Sequence, residues 1–68
     1  MPERTYKLEE IVGVSETSAD DAIRNAIARA SQTLQGLDWF QVVETRGTIQ
    51  NGRVAQFQVT VKIGFRVE

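Results

Sequence analysis

The last quarter of the chain, Arg53 to Glu68, alternates between apolar and polar positions. The residues between the apolar ones are polar, charged or glycine. Such a period of two places the apolar residues on one face of a β-strand and the others on the opposite face. The pattern predicts a long strand whose apolar face carries Phe57, Val59, Val61, Ile63, Phe65 and Val67.

Two further segments also have the character of strands. Trp39–Gln50 is rich in aromatic and β-branched residues, which favour strands. Asn51 and Gly52 follow it directly and predict a tight type I′ hairpin into the last strand. Near the N-terminus, Arg4–Val14 is the third predicted strand. Its alternation changes parity midway, which predicts a bulge near Glu9–Glu10.

A helix is predicted between the first two strands. Ser18 is a favourable N-cap, and Asp21 three residues later gives an aspartate variant of the capping box. Gly36 is where a left-handed residue would end the helix, which predicts about 17 helical residues. One apolar stripe recurs at helical spacing and consists of Ala22, Ile23, Ala26, Ile27, Ala30 and Leu34.

These elements predict an α+β fold with the order β-α-β-β. Residues 1–68 form one domain, in which a three-stranded antiparallel sheet curves around one helix. A chain of 68 residues buries only about 60% of its unfolded surface, so its own core is small. One helix covers only one face of the sheet. We therefore expect another subunit to cover the opposite face.

The hairpin turn also predicts which residues lie opposite each other. A two-residue turn places Gln50 opposite Arg53, and the same register is then extended along both strands. The predicted pairs are Thr45 with Gln58, Val43 with Thr60, Gln41 with Lys62 and Trp39 with Gly64.

On this register Trp39 and Gln58 fall on the face of the sheet away from the helix. Gly64 would leave space over the indole, and the combination predicts a slot for a flat ligand. The same register turns Glu44 and Arg46 toward the helix, where burial of charge is costly. A bulge at Gly47 would change this facing.

Composition excludes several functional classes. Eight Lys and Arg against nine Asp and Glu give a net charge of -1, without the basic surplus expected of a nucleic-acid-binding domain. The chain has no cysteine and no histidine, and no metal site is expected. Asp20 and Asp21 are adjacent on a helix and do not face each other as a catalytic pair would. We expect no catalytic residue.

Hydropathy argues against a membrane location. No apolar run approaches the length of a membrane span, and no signal-peptide pattern is present near Met1. A cytoplasmic protein without membrane partners is the expectation.

Several short segments occur in a distinctive order and spacing: Leu37–Phe40, Thr45–Ile49, Gln56–Thr60 and Ile63–Glu68. Ile11–Gly13 and the helix start at Ser18–Ala22 add to the pattern. Together they resemble the dodecin family over nearly the whole chain. The chain departs from many members at Thr48 and Gln56, where they have histidine.

The resemblance implies a hollow homododecamer that binds flavins without a known enzymatic reaction. Flavins are expected in pairs between tryptophans of symmetry-related subunits. Trp39 matches that tryptophan, Gln58 the glutamine at the polar edge of the flavin, and Arg46 and Asp38 match further residues of the site. Flavin mononucleotide (FMN) is expected for a bacterial-type member, with riboflavin or FAD as alternatives.

Some bacterial dodecins also carry coenzyme A, which the resemblance extends to this chain as a further ligand. The matching positions are Arg4, Thr5, Tyr6, Arg29, Thr33, Arg66 and Glu68.

Three functional hypotheses remain open at this stage. The first is a non-enzymatic protein that stores, buffers and photoprotects flavin. The second is a structural or scaffolding homo-oligomer with no functional flavin site. The third is a flavin-dependent reductase, which is disfavoured because the sequence offers neither a clear acid or base nor a clear substrate channel.

Overall fold

A computed structural model describes residues 3–67 and contains the predicted elements in the predicted order. Asn51 and Gly52 have φ values of 55° and 74°, so both central residues of the hairpin turn have the positive φ of a type I′ turn. The hairpin prediction is therefore confirmed. The elements are β1 (Tyr6–Ser15), α1 (Ala19–Ala30), β2 (Leu37–Gln50) and β3 (Arg53–Arg66).

The sheet is antiparallel with the strand order β1-β3-β2, so the last strand is central. We call the face covered by α1 the inner face and the opposite one the outer face. Val59, Val61 and Ile63 are fully buried on the inner face. The predicted helical stripe is confirmed, since its alanines are buried against this strand and its larger members pack around them: Ala22, Ala26 and Ala30, then Ile23, Ile27 and Leu34.

Small residues allow the helix to lie directly on β1. Gly13 is buried, and a Cβ atom added to it would overlap the carbonyl oxygen of Ala22 and lie 2.8 Å from the Cβ of Ala26. Any larger side chain here must therefore move the helix away from the sheet.

The helix begins as predicted. The Oγ atom of Ser18 accepts a hydrogen bond of 3.0 Å from the backbone N–H of Asp21. The Asp21 carboxylate does not complete the capping box on Ser18, since it accepts from the hydroxyl of Ser15 at 2.9 Å. Ser15 is buried and its Oγ also accepts from the N–H of Thr17 at 2.8 Å, so it connects the end of β1 to the start of α1.

The predicted end of the helix is wrong. α1 has 12 residues and ends at Ala30, with Ser31 as its C-cap in the right-handed region. The chain then turns through i+3 bonds, including one of 3.1 Å from the N–H of Thr33 to the carbonyl of Ala30. Gly36 does have a positive φ of 74°, but it lies in the connection to β2, where its carbonyl accepts from the N–H of Arg66.

The predicted bulge in β1 is also wrong. β1 pairs with β3 without interruption from Tyr6–Arg66 to Ser15–Phe57. The change of parity in the sequence arises because β1 carries apolar residues on both faces. Ile11 packs against the core, whereas Leu8, Val12 and Val14 lie exposed on the outer face.

The hairpin register agrees with prediction at both ends and differs only between them. Beside the turn Gln50 faces Arg53, as predicted. Trp39 faces Gly64 and Gln41 faces Lys62, as predicted. Between these pairs and the turn the register shifts by one residue, because Val43 on β2 and Ala55 on β3 are extra residues. These are β-bulges, and each reverses the facing of the residues beyond it.

Because of the two bulges, the charged residues Glu44 and Arg46 face the other way from the prediction. Arg46 faces Gln58 and Glu44 faces Thr60, so both charged side chains lie on the outer face. The predicted pairs Thr45–Gln58 and Val43–Thr60 are therefore wrong, as is the orientation of Glu44 and Arg46 toward the helix. The irregularities lie on either side of Gly47 and not at it.

Much of the hairpin has no cover within the chain. α1 packs mainly against β1 and β3. Its 12 residues span about 18 Å, whereas the 14 residues of β2 span about 46 Å. Ile49 and Val54 near the turn are 78% and 57% exposed, and Phe40 on the inner face of β2 is 49% exposed.

The close approach at Gly13 predicts a large effect of a single methyl group. We expect Gly13→Ala to lower the free energy of unfolding by about 2–3 kcal/mol, because the rigid helix backbone must be displaced. Chemical denaturation followed by circular dichroism measures this change. Glu10→Ala, at an exposed position of the same strand, is the matched control. Equal stability of the two variants would contradict the close packing.

Candidate functional site

The outer face carries a tryptophan in a defined position. The indole of Trp39 lies over Gly64, where an added Cβ atom would overlap the Cε2 and Cζ2 atoms of the ring. Trp39 is nevertheless 43% exposed. A large flat ring therefore lies on a face of the sheet that no element of this chain covers.

Tyr6 from β1 supports this arrangement across the sheet. Its ring centroid is 6.1 Å from that of Trp39, with the planes inclined by 60°. Such tilted pairs are favourable for aromatic rings. The hydroxyl of Tyr6 donates to Oδ2 of Asp38 at 2.8 Å. The Tyr6 side chain therefore contacts both Asp38 and Trp39, which are consecutive residues of β2.

Asp38 occupies the irregularity at the start of β2. Leu37 faces Phe65 and Trp39 faces Gly64, which leaves Asp38 as the extra residue. Its Oδ2 lies 3.8 Å from Nε of Arg66 and 3.9 Å from Nη1 of Arg4. Ion pairs of this length between partly exposed groups add at most about 1 kcal/mol. Their role here is to place two guanidinium groups around one carboxylate.

A second polar group lies nearer the hairpin turn. Arg46 donates from Nε to Oε1 of Gln58 at 2.8 Å, and Gln58 donates from Nε2 to Oε1 of Gln56 at 2.8 Å. Both glutamines are half-buried. The three side chains form a continuous hydrogen-bonded chain across β2 and β3.

These two groups share the outer face but are separated along it. Gly64, under the indole, and Gln58 are six residues apart on β3, which is about 20 Å of extended strand. The structure brings Trp39 together with Asp38, and Arg46 together with Gln58. It does not bring Trp39 and Gln58 together within one protomer.

The residues matched to coenzyme A also fall in two places. Arg4, Tyr6 and Arg66 meet around Asp38 on the outer face. Arg29 and Thr33 line a groove of about 380 Å³ between α1 and β1.

The remaining residues of that set are Thr5 and Glu68. The carbonyl of Thr5 accepts from the N–H of Val67 at 3.2 Å, and Glu68 lies outside the described residues. The assignment of these positions to coenzyme A stays a prediction.

Comparison with known proteins decides the family. Residues 5–68 match the sequence profile of the Dodecin family. The chain belongs to the dodecin family. It is 49% identical to a dodecin from Thermus thermophilus over 65 residues, which cover 96% of this chain and 94% of the relative. The family prediction is confirmed.

Solved dodecin structures confirm the fold. The dodecin from Streptomyces coelicolor superimposes with a TM-score of 0.94 at 53% identity, covering 100% of this chain and 97% of that one. The dodecin from Streptomyces davaonensis gives a TM-score of 0.94 at 54% identity, covering 98% of each chain. The α+β fold with the order β-α-β-β is therefore the dodecin fold.

One residue of the candidate site was not included among those predicted from the sequence. Gln56 was noted only as a departure from the histidine of many relatives, yet it contacts the side chain of Gln58. The available signal was its spacing, because residues i and i+2 of a strand lie on the same face.

Residues 3–67 lack two features that would indicate other kinds of site. No helix in this part of the dodecin chain has both the length and the apolar character needed to cross a membrane. Within the same residues, no three acidic side chains cluster in a way that could bind a metal ion.

The position of the indole can be tested without any ligand. We expect Gly64→Ala to displace the Trp39 ring from the sheet, because the new methyl group would occupy the space of the ring. Trp39 is the only tryptophan, so its emission maximum should shift to longer wavelength and acrylamide should quench it more strongly. Lys62→Ala, on the same face of β3, is the control. An unchanged emission spectrum in Gly64→Ala would contradict the contact.

Proposed function

We propose that this dodecin is a non-enzymatic flavin-binding protein that stores, buffers and photoprotects flavin, with FMN as the preferred ligand. The flavins would lie as stacked pairs between subunits of a homododecamer. The observation that carries the proposal is the half-exposed indole of Trp39 on the uncovered outer face. Membership of the dodecin family supports it.

The surroundings of Trp39 suit stacking on a flat ring. Gly64 beneath the indole and Tyr6 at its edge restrict the ring before any ligand arrives. A restricted aromatic side chain loses little conformational entropy on binding. An electron-rich indole in contact with a flavin would also donate an electron to the excited flavin, and return of that electron would restore both ground states, which would protect the flavin from light.

The separation of the two polar groups supports a site shared between subunits. Trp39 and Gln58 do not meet within one protomer. We therefore assign Trp39 to one subunit of the site and Gln58, with Arg46, to a neighbouring subunit. The exposed apolar residues of the outer face and of β2 give such an assembly surface to bury.

A non-enzymatic role is proposed on physical grounds. A flavin in such a stacked pair would have one face against an indole and the other against the second flavin, which would leave no face open for hydride transfer from a second substrate. The carboxylate nearest to the indole, Asp38, already accepts a hydrogen bond from Tyr6 and lies beside two guanidinium groups. These contacts tie the Asp38 side chain to neighbouring residues of its own chain and favour a structural role for it.

Coenzyme A is proposed as a second ligand. Arg4 and Arg66 place two positive charges against the single carboxylate of Asp38, and the surplus favours binding of a phosphate group. Tyr6 contributes an aromatic ring at the same place. Loss of coenzyme A binding in Arg66→Ala, with FMN binding retained, would distinguish this site from the flavin site.

The principal alternative is a scaffolding oligomer that does not use flavin. It is favoured by the same exposed apolar surface, which would be buried in an assembly whether or not a ligand is present. A well-formed oligomer that neither binds FMN in calorimetry nor quenches its fluorescence would support the alternative and overturn the flavin proposal.

The flavin proposal predicts a graded response at Trp39. Each stacking contact with an aromatic side chain is worth about 1–3 kcal/mol, so Trp39→Ala should weaken FMN binding by about 5- to 150-fold. Trp39→Phe should lie between the two, because it keeps a smaller ring. Titration of the apoprotein with FMN, followed by flavin fluorescence, measures both affinity and quenching.

Particle size must be measured in parallel for each Trp39 variant. Loss of binding on a particle of unchanged size would place the effect in the site and not in assembly. Trp39→Ala that binds and quenches FMN as the parent does would overturn the assignment of Trp39.

A further inference from the structure

We propose that Gln56 is a positioning residue which, together with Arg46, fixes the orientation of the Gln58 amide for recognition of an imide group. This inference rests on the proposed function, because it assumes that Gln58 contacts the polar edge of a flavin. Gln56 itself is not assigned a contact with the ligand. It would act through Gln58.

The donors and acceptors of the three side chains allow only one orientation. A guanidinium group has N–H donors and no acceptor, so the atom of Gln58 that faces Arg46 must be its oxygen. The amide nitrogen of Gln58 then faces Gln56 and needs an acceptor there. Gln56 supplies it through Oε1, and both bonds are 2.8 Å long.

Gln58 retains part of its hydrogen-bonding capacity for a ligand. A glutamine amide has two N–H groups and two lone pairs on its oxygen. Arg46 occupies one lone pair and Gln56 occupies one N–H. Gln58 therefore keeps one free N–H donor and one free lone pair. Its two neighbours, Arg46 and Gln56, determine which end of the amide group carries each.

This combination is complementary to an imide. The pyrimidine ring of a flavin carries an N–H group, N3–H, between two carbonyl groups. The free lone pair of Gln58 can accept from N3–H, while its free N–H donates to a neighbouring carbonyl. An amide that could rotate by 180° would spend part of its time with donor against donor, which lowers affinity for the imide.

The bulges explain why this arrangement forms only at this point of the hairpin. Without the extra residues Val43 and Ala55, Thr45 would face Gln58 and Arg46 would lie on the inner face. The side-chain oxygen of Gln58 would then lack a neighbour that can only donate hydrogen bonds, as the guanidinium group of Arg46 does. The fixed orientation of the Gln58 amide therefore depends on the shifted register.

The test compares riboflavin with its 3-methyl analogue, in which the N3–H donor is blocked. Calorimetry of the assembled protein should show that the parent prefers riboflavin. Gln56→Met keeps the length of the side chain but removes the acceptor, and we expect about tenfold weaker riboflavin binding. Binding of the methyl analogue should change less, so that discrimination between the two flavins falls.

Two further variants sharpen the test. Gln56→Glu keeps an acceptor for the Gln58 amide, and it should retain most of the discrimination. Gln50→Met, the same change at an exposed position beside the turn, should leave both affinities unchanged. Undiminished discrimination in Gln56→Met, or no recovery in Gln56→Glu, would overturn the inference.

A measurement on the apoprotein separates this inference from the proposed function. The side-chain NH2 resonances of Gln58, identified by their loss in Gln58→Glu, should exchange with water faster in Gln56→Met than in the parent. Equal exchange would overturn the fixed amide. Protected resonances in a parent protein that binds no flavin would support the fixed amide while overturning the flavin proposal.

Discussion

The rest of this structure depends on the limited cover that one short helix can give. α1 lies close to β1 and β3 because alanines on the helix meet glycine and β-branched residues on the strands. Its 12 residues cannot reach over β2 or along the full hairpin. The core is therefore confined to one face of two strands. The outer face of the sheet and most of β2 remain uncovered, and the candidate site lies there.

Local changes of register in the hairpin determine which side chains lie on that free surface. Bulges at Val43 and Ala55 turn the segment between them by one residue, so that Arg46 and Gln58 share the outer face. The irregularity at Asp38 separately brings its carboxylate under the hydroxyl of Tyr6. Bulges commonly re-aim side chains beside functional sites. Here the bulges at Val43 and Ala55 flank the paired segment that contains Arg46 and Gln58, and the irregularity at Asp38 directly precedes Trp39.

The two polar groups of the outer face belong to one candidate site only in an assembly. Trp39, over Gly64, and the pair of Gln58 with Arg46 are separated by six residues of β3. A flavin site made from both would use different subunits, so ligand binding and assembly would stabilise each other through linkage. This relation would give a small domain without disulfides a second source of stability beyond its own core.

The sequence by itself determined the elements, their order and the family. The alternation of β3, the Asn51–Gly52 turn and the Ser18 cap are local signals, and local signals are read from neighbouring residues alone. The end of the helix, the continuity of β1 and the register beside Gln58 were decided only by the tertiary structure. They depend on which strand each residue meets, since a bulge costs little locally and is selected by packing across the sheet. The bond between Arg46 and Gln58 could not be predicted for that reason, because it joins two strands whose register no local pattern records. The contact of Gln56 with Gln58 lies within one strand, where the i, i+2 spacing does place both on the same face.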